Sequence, residues 1–229
     1  MARNLPDIAP FIENAILDPI VNKSRIEQVC DQSRYFGFAG VCVASRDVPI
    51  AREQLGNKGK VKLISMISFP FGSVSRDIKQ AEAEWAASEG AEELDMVPNF
   101  SALINGQINS FAEEIAAICS IGLPVKVILE VSRLEGQLLA LAVEASIDAG
   151  ASFLKTGSGF GPPVTNEQVK HLFSLAKGRA GIKAVGGIID LSTAISLLEA
   201  GANRLGTSRG MELMKALRND SPIKTFNYE

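Results

Sequence analysis

The sequence contains little of the side-chain chemistry on which metal, redox and disulfide-rich proteins depend. Its 229 residues include three cysteines and one histidine, and no two cysteines have the Cys-x-x-Cys spacing of a zinc site. An odd number of cysteines does not suit a disulfide framework, and without a histidine or cysteine cluster the sequence offers no transition-metal site. We therefore expect reduced, structural cysteines and no metal.

Long apolar runs and an excess of one charge are also missing. Lysine and arginine together number 23, aspartate and glutamate 26, and the basic residues are spread along the chain. That distribution does not suit nucleic acid, and no stretch approaches the roughly 18 apolar residues of a membrane span. Residues 1–10 lack the apolar core of a signal peptide. We expect a cytoplasmic protein with small-molecule partners, no nucleic acid and no membrane.

Nucleotide-binding motifs are absent as well. There is no Walker A sequence, and the glycine-rich run at 157–161 does not complete Gly-x-Gly-x-x-Gly because Pro162-Pro163 follows it. We therefore expect no nicotinamide or other cofactor. The single histidine, His171, falls in a predicted outer helix at a spacing suited to solvent or packing. We interpret Trp85, on another predicted helix, as a packing residue.

What the sequence does have is a regular alternation of short apolar runs and longer segments with helical spacing. Such a rhythm is typical of repeated strand-helix units. Two predicted helix starts carry an apparent capping box, Ser24 with Glu27 and Ser110 with Glu113. The predicted strands are 12–17, 40–44, 63–68, 93–97, 126–131, 153–158, 182–187 and 204–208.

Eight units of similar length favour a closed parallel barrel, a single-domain TIM (β/α)8 barrel, over an open sheet. A doubly wound sheet remains the alternative. No linker or low-complexity segment divides residues 1–229, so we expect one domain. A homo-oligomer is compatible with this, because barrel helices expose apolar residues whether or not another subunit covers them.

A finer repeat predicts which strand residues lie at the same depth. Gly-Ala precedes the strands that begin after 90, 150 and 201, and the residue five positions after each glycine is Asp95, Lys155 or Gly206. The same interval from Gly37 and Gly178 leads to Cys42 and Lys183. An aspartate, two lysines and a cysteine are thus predicted at comparable heights in one sheet.

Lys155 and Lys183 are the leading candidates for chemistry. Each interrupts an apolar strand just before a glycine-rich loop, and the carboxyl ends of barrel strands carry the reacting residues. Two ammonium groups in one cavity disfavour each other's charged form, so we expect one of the two to have a lowered pKa. A neutral amine can attack a carbonyl. The alternative is that either lysine belongs to a structural ion-pair network with Asp95 or Glu130.

Asp95 lies in an apolar strand and is a candidate for proton transfer, or alternatively for neutralising a buried lysine. Lys126 and Glu130 share a strand face by period two, and we interpret them as support for the site or as barrel packing. Loops after the last two strands are predicted to bind an anion through backbone N–H groups. The candidate residues for substrate binding are Cys42, Ser158, Gly159, Gly186, Gly187, Gly206, Ser208 and Arg209.

These motifs resemble the deoxyribose-phosphate aldolase family over residues 38–214. The matching segments are GVCV at 40–43, SFPFG at 68–72, ELDMV at 93–97, VKVILE at 125–130, FLKT at 153–156, IKAVGG at 182–187 and AGANRLGTS at 200–208. The resemblance implies a cofactor-free class I aldolase that cleaves 2-deoxy-D-ribose 5-phosphate to acetaldehyde and D-glyceraldehyde 3-phosphate. It implies that Lys155 forms the Schiff base, Lys183 favours its neutral form and Asp95 assists proton transfer. It also implies that Gly186, Gly187, Gly206 and Ser208 hold the phosphate.

The sequence departs from the family pattern in three places. Glu13-Asn14-Ala15 replaces the usual Asp-His-Thr, so a hydroxyl is missing near the reacting carbons. The run 156–159 has fewer hydroxyls than usual, and Arg209 stands where a second serine is common. Arg209 either strengthens phosphate binding or turns the site toward another acceptor. Some members use a C-terminal tyrosine; we do not transfer that role to the penultimate Tyr228.

Overall fold

The fold is an eight-stranded parallel barrel surrounded by helices. A computed structural model describes residues 6–220. Each strand pairs in parallel with the next, and β1 pairs with β8, which closes the sheet. The strands are β1 Ile12–Ile16, β2 Gly40–Ala44, β3 Lys62–Ile67, β4 Glu93–Met96, β5 Val125–Ile128, β6 Phe153–Lys155, β7 Gly181–Val185 and β8 Arg204–Thr207.

Helices follow the strands in the order expected of a TIM barrel, so the prediction of that fold is confirmed and the doubly wound alternative is wrong. The described residues also form two 3-10 turns, Ala9–Phe11 and Ser45–Asp47. The helices are α1 Lys23–Phe36, α2 Val48–Leu55, α3 Arg76–Ser88, α4 Phe100–Ile104, α5 Ile108–Cys119, α6 Gly136–Asp148, α7 Asn166–Ala176, α8 Leu191–Glu199 and α9 Gly210–Asp220.

All eight predicted strands are present, but β5, β6 and β7 end two or three residues earlier than the apolar pattern suggested. At β6 and β7 the cause is Thr156, which follows β6. Its hydroxyl accepts a hydrogen bond from the Val185 N–H at 2.9 Å and donates one to the Val185 carbonyl at 3.1 Å. A side chain thus replaces the backbone ladder at this level. The segments beyond it are free to form the loops of the barrel mouth.

The sheet register confirms the predicted common depth of Lys155 and Lys183, which are direct partners in the pairing of β6 with β7. Asp95, on β4, pairs with Lys126 on the adjacent strand β5. Because barrel strands are staggered, side chains at one height need not be ladder partners, and Asp95 reaches both strand-end lysines across the interior.

The apolar core lies mainly between the sheet and the helices. Inside the barrel a smaller apolar cluster, formed by Cys42, Ile64, Met66, Val97 and Ile128, surrounds a group of buried charges. None of the helices described between residues 6 and 220 has the length and apolar character needed to cross a membrane.

The two predicted capping boxes are wrong. Helix α1 begins two residues before the expected position because Asn22, not Ser24, accepts the Arg25 N–H at 2.9 Å. Helix α5 begins at Ile108, so Ser110 already lies inside it. A reciprocal capping box is formed instead at α7, where Thr165 and Gln168 bond each other's backbone N–H.

Replacing Thr165 by alanine should lower the free energy of unfolding by about 1 kcal/mol, because the Gln168 amide loses its acceptor. Ser24→Ala and Ser110→Ala are matched controls that remove a hydroxyl without removing a cap, and each should change stability by less than about 0.5 kcal/mol. Urea unfolding followed by circular dichroism measures the difference. A loss in Ser24→Ala equal to that in Thr165→Ala would contradict this assignment of the helix start.

Candidate active site

A cavity of about 1000 Å³ opens at the carboxyl ends of the strands. It is bordered by the loops that follow β1, β3, β6, β7 and β8. The residues predicted from the sequence that line it are Cys42, Lys155, Ser158, Gly159, Lys183, Gly186, Gly187, Gly206, Ser208 and Arg209. Asp95 lies beneath them in the barrel interior, fully buried. The structure therefore brings the predicted residues together in one place.

Asp95 is the centre of the buried charges. One oxygen, Oδ2, lies 2.9 Å from Lys155 Nζ and 2.6 Å from Lys183 Nζ. The other oxygen, Oδ1, lies 3.1 Å from Lys126 Nζ. Burial by itself would raise the pKa of Asp95, but the three ammonium groups outweigh burial and hold that pKa well below its usual range. Asp95 is therefore a permanent anion at neutral pH.

Lys183 is held as a cation. Its Nζ contacts the carboxylates of both Asp95 and Glu13. Burial alone would lower the pKa of Lys183, yet the two carboxylates raise it above its ordinary value. We expected mutual repulsion to lower one lysine pKa, and the structure shows that Lys183 is not that lysine, because it has two anionic partners.

Lys126, on β5, is held in the same way. It contacts Asp95, Glu93 at 2.5 Å and Glu13 at 3.6 Å, and these carboxylates raise its pKa despite complete burial. Lys126 thus pairs with Asp95 in the barrel interior and does not line the cavity.

Lys155 has a different environment. Within residues 6–220, Asp95 is the one carboxylate at ion-pair distance from its Nζ. The remaining neighbours are apolar or weakly polar: the Met66 sulfur lies at 3.7 Å, and the centre of the Phe69 ring at 6.0 Å. The side chain is almost completely buried but borders the cavity. Lys126, Lys155 and Lys183 are the three lysines that contact Asp95. Of these, Lys155 has the fewest carboxylate partners and the most direct access to a ligand.

Sequence reasoning missed that Glu13 is the second buried carboxylate of the site. In the sequence this residue stands out only as a departure from the family pattern. Its carboxylate contacts Lys183 and lies 3.6 Å from both Lys126 and Arg204. The signal was available, because a glutamate in a strand as short and buried as Ile12–Ile16 is expected to have a cationic partner. Ala15, two residues on, faces the cavity without a hydroxyl.

Cys42 borders the cavity beside both lysines. Burial is the main cause that raises the pKa of its thiol to about 11. The side chain is therefore a neutral thiol at physiological pH, which suits packing against a substrate rather than nucleophilic attack.

The two loops predicted to bind an anion are joined to each other. The Thr207 hydroxyl donates to the Ile188 carbonyl at 2.8 Å and accepts from the Arg209 N–H at 3.0 Å. Gly206 leaves no space for a side chain, since an added Cβ would lie 2.7 Å from Val185 and 3.0 Å from Lys183. Ser208 and Arg209 are exposed at the start of α9. Backbone N–H groups and a guanidinium thus border the same part of the cavity.

Other residues considered from the sequence lie as follows. Glu130 accepts a hydrogen bond from the Ser158 N–H at 2.7 Å and so anchors the loop after β6. His171 is exposed on α7, and Trp85 is partly exposed on α3. Tyr228 lies outside the described residues. Over residues 6–220, no group of three or more His, Cys, Asp or Glu side chains is arranged to hold a metal ion.

Comparison with known proteins gives relatives along nearly the whole chain, although no family model matches. The chain is 42% identical over 227 residues to a deoxyribose-phosphate aldolase of Trichormus variabilis, covering 98% of this chain and 99% of the relative. It is 38% identical over 219 residues to a deoxyribose-phosphate aldolase of Thermococcus gammatolerans, covering 93% and 97%.

Solved structures agree with these relatives. The aldolase QR15 superimposes with a TM-score of 0.89 at 38% identity, covering 94% of this chain and 97% of that one. The deoxyribose-phosphate aldolase of Aeropyrum pernix, described as a tetramer, superimposes with a TM-score of 0.84 at 30% identity, covering 95% and 94%. The protein is an aldolase of the TIM-barrel class, a carbon–carbon lyase. Within that class, the chain belongs to the deoxyribose-phosphate aldolase family.

The charge of Asp95 should be visible in the pH dependence of stability. Because its folded-state pKa lies below the unfolded value of about 3.9, ionised Asp95 stabilises the fold above that pH. The stabilisation is lost as the pH falls toward the folded-state pKa. In Asp95→Asn the free energy of unfolding should therefore fall less steeply below about pH 4 than in the unmodified protein. Urea titrations at several acidic pH values measure both slopes, and equal slopes would contradict the assignment.

Proposed function

We propose that this protein reversibly cleaves 2-deoxy-D-ribose 5-phosphate to acetaldehyde and D-glyceraldehyde 3-phosphate through a Schiff base on Lys155. The observation that carries the proposal is the sharing of one Asp95 oxygen by two lysines, of which Lys183 alone has a second carboxylate partner. Lys155 borders the cavity and is the amine better placed to lose its proton and attack a carbonyl.

In the proposed reaction, neutral Lys155 Nζ attacks C1 of the open-chain sugar phosphate. One proton passes from nitrogen to the former carbonyl oxygen by way of Asp95 and gives the carbinolamine. A second proton, taken from solvent, goes to the carbinolamine hydroxyl, which leaves as water as the iminium forms; this proton is returned when the last iminium is hydrolysed. Because the Asp95 pKa is so low, Asp95 passes the proton on rather than keeping it. Lys183, 2.6 Å from the same oxygen, stabilises the negative charge that develops during these transfers.

Carbon–carbon cleavage then follows from the iminium. The C3 hydroxyl loses its proton, the C2–C3 bond breaks, and its electron pair moves into the iminium to give an enamine and D-glyceraldehyde 3-phosphate. The enamine takes a proton at C2, and water hydrolyses the resulting iminium to acetaldehyde and free Lys155. The Asp95–lysine group is the proton source and acceptor nearest to Nζ in this scheme.

The loops after β7 and β8 are proposed to bind the phosphate. Gly186, Gly187 and Gly206 line the cavity without a side chain, and Ser208 and Arg209 add donors at the start of α9. Backbone N–H groups near a helix N-terminus favour an anion, and a guanidinium adds a charge-assisted contact. Assembly into a homo-oligomer is in keeping with the tetramer described for the Aeropyrum pernix relative.

A second candidate keeps the Schiff base but changes the acceptor aldehyde. Ala15 borders the cavity where a hydroxyl would contact the substrate, and Arg209 replaces a serine in the anion loop. Both differences alter polar contacts to the acceptor and leave the environment of Lys155 unchanged. Turnover of phosphorylated against unphosphorylated acceptors separates the two candidates.

Borohydride reduction in the presence of 2-deoxy-D-ribose 5-phosphate should trap a covalent adduct on Lys155. Peptide mass mapping locates it. Lys155→Arg should abolish the adduct, because a guanidinium remains protonated at neutral pH. Lys170→Ala, which removes an exposed lysine on α7, is the control and should trap normally.

An adduct on a different lysine would contradict the proposed nucleophile. Binding of the sugar phosphate without any adduct would instead indicate a phosphosugar-binding barrel that has lost turnover. Peptide mass mapping identifies an adduct on a different lysine. Calorimetry on the same preparation detects binding when no adduct forms.

Arg209→Ala should raise KM for the phosphorylated substrate about 10- to 100-fold, the loss expected for one charge-assisted hydrogen bond. Activity toward unphosphorylated 2-deoxy-D-ribose should change little, since the guanidinium has no anion to contact there. Steady-state kinetics with the two sugars measures the difference. An equal effect on both sugars would show that Arg209 does not bind the phosphate.

A further inference from the structure

Arg204 connects the buried charges of the site to the opposite end of the barrel. It begins β8, at the amino-terminal end of the sheet, whereas the cavity opens at the carboxyl end. Its side chain is 32% exposed, and its Nε lies 3.6 Å from an oxygen of the buried Glu13. Glu13 in turn contacts Lys183, which shares Asp95 with Lys155. Charged contacts therefore run through the barrel from solvent at one end to the amine at the other.

The guanidinium of Arg204 is held in place by its surroundings. It lies over the ring of Phe153, on β6, with 5.5 Å between the guanidinium carbon and the ring centre. One of its nitrogens donates a hydrogen bond to the Asn203 carbonyl at 2.9 Å. Gly181, on β7, leaves room for the ring, since an added Cβ would lie 2.4 Å from it. A cation–π contact and a hydrogen bond thus keep the guanidinium beside Glu13.

The charged group inside the barrel contains one more cation than anion. Within residues 6–220, every ion pair made by its members joins them to one another. The carboxylates are Asp95, Glu13 and Glu93, and the cations are Lys126, Lys155, Lys183 and Arg204. An excess positive charge in a low-dielectric interior favours the loss of a proton from one cation. Without the guanidinium, carboxylates and ammonium groups would balance.

Lys155 is the cation that can most readily lose a proton. A guanidinium stays protonated at neutral pH, so Arg204 cannot. Lys183 and Lys126 each contact two or more carboxylates, which raise the pKa of both lysines. Lys155 contacts one, Asp95, among the described residues. The excess charge is therefore relieved at the amine that borders the cavity.

The other titratable groups around Lys155 do not compete for this role. Asp95 remains an anion because its pKa is held low, and the Cys42 thiol remains neutral. Glu130, in the loop after β5, accepts its hydrogen bond from the Ser158 N–H instead. The remaining groups are charged members of the same buried group: Lys126, Lys183 and Glu13.

We propose that Arg204 is a positioning residue for the reaction: its charge, placed beside Glu13 from the solvent side, gives the buried group the excess cation that favours the neutral amine of Lys155. The role rests on the proposed Schiff base at Lys155. It involves the amino-terminal end of the barrel, opposite the cavity and its phosphate loops, in the chemistry of the site.

The test is the pH dependence of enamine formation. Deuterium exchange at C2 of acetaldehyde in heavy water, followed by NMR, reports that step without acceptor or phosphate. Arg204→Gln and Arg204→Met each remove the charge and keep an unbranched stem against Phe153. Because a proton on Lys155 is then held more tightly, the acid limb of the exchange profile should move to higher pH by roughly one unit. Exchange at about pH 7 should fall up to about tenfold and recover at higher pH.

Matched variants separate this role from a structural one. Arg204→Lys retains a cation and should keep the profile of the unmodified protein. Arg179→Gln removes an exposed arginine just before β7, whose partners Glu144 and Asp148 lie on the outer helix α6, and it should leave the profile unchanged. A purely structural role would lower exchange by the same factor at every pH.

The outcomes are distinct. An unchanged profile or a uniform loss in the charge-removing variants, with acetaldehyde still trapped on Lys155 by borohydride, overturns the inference and leaves the proposed function intact. Failure of both Arg204→Gln and Arg204→Met to fold would show a structural requirement and overturn it as well. If acetaldehyde gives no adduct on Lys155 in the unmodified protein, both the inference and the proposed function fail.

Discussion

The site depends on one buried carboxylate that holds three ammonium groups. Asp95, which is fully buried, contacts Lys126 with one oxygen and Lys155 and Lys183 with the other. Bringing such charges out of water is costly unless each has a partner, and unpaired buried charges cost several kcal/mol. The second carboxylate, Glu13, supplies partners for Lys126 and Lys183 but not for Lys155. The arrangement therefore leaves one lysine less compensated than its neighbours.

This asymmetry links the fold to its chemistry. The strand register places Lys155 and Lys183 side by side, and the early end of β6 and β7 lets glycine-rich loops surround them. In the proposed reaction, this fixed cation beside the Lys155 amine stabilises negative charge as protons move, and it needs no reorganisation. The Phe69 ring lies beside the same amine, with its centre 6.0 Å from Nζ. Family membership, strand-end lysines and cavity lining thus agree on an aldolase.

Much of the fold and of the candidate site could be predicted from the sequence, because the short apolar runs indicate the strands and the Gly-Ala repeat places Lys155 and Lys183 at one depth. Lys155, Lys183 and Asp95 were found because charged residues in apolar strands are conspicuous. The capping boxes were wrong because a serine three residues before a glutamate occurs by chance inside helices, and Asn22 competes for the cap. Glu13 stands out in its strand, but its partners Lys126 and Lys183 were missed because these contacts join segments far apart in the chain, and sequence spacing does not identify such partners.

The central claim of the proposed function is that Lys155, and not Lys183, is the reacting amine, because two carboxylates hold Lys183 as a cation. Competitive labelling tests it directly: a limiting amount of acetic anhydride is applied across the neutral pH range, and acetylation of each lysine is measured by peptide mass mapping. The account predicts that Lys155 is acetylated while Lys183 and Lys126 resist until the protein unfolds. Acetylation of Lys183 ahead of Lys155 in the folded protein would contradict the account, because the assigned cation would then be the free amine.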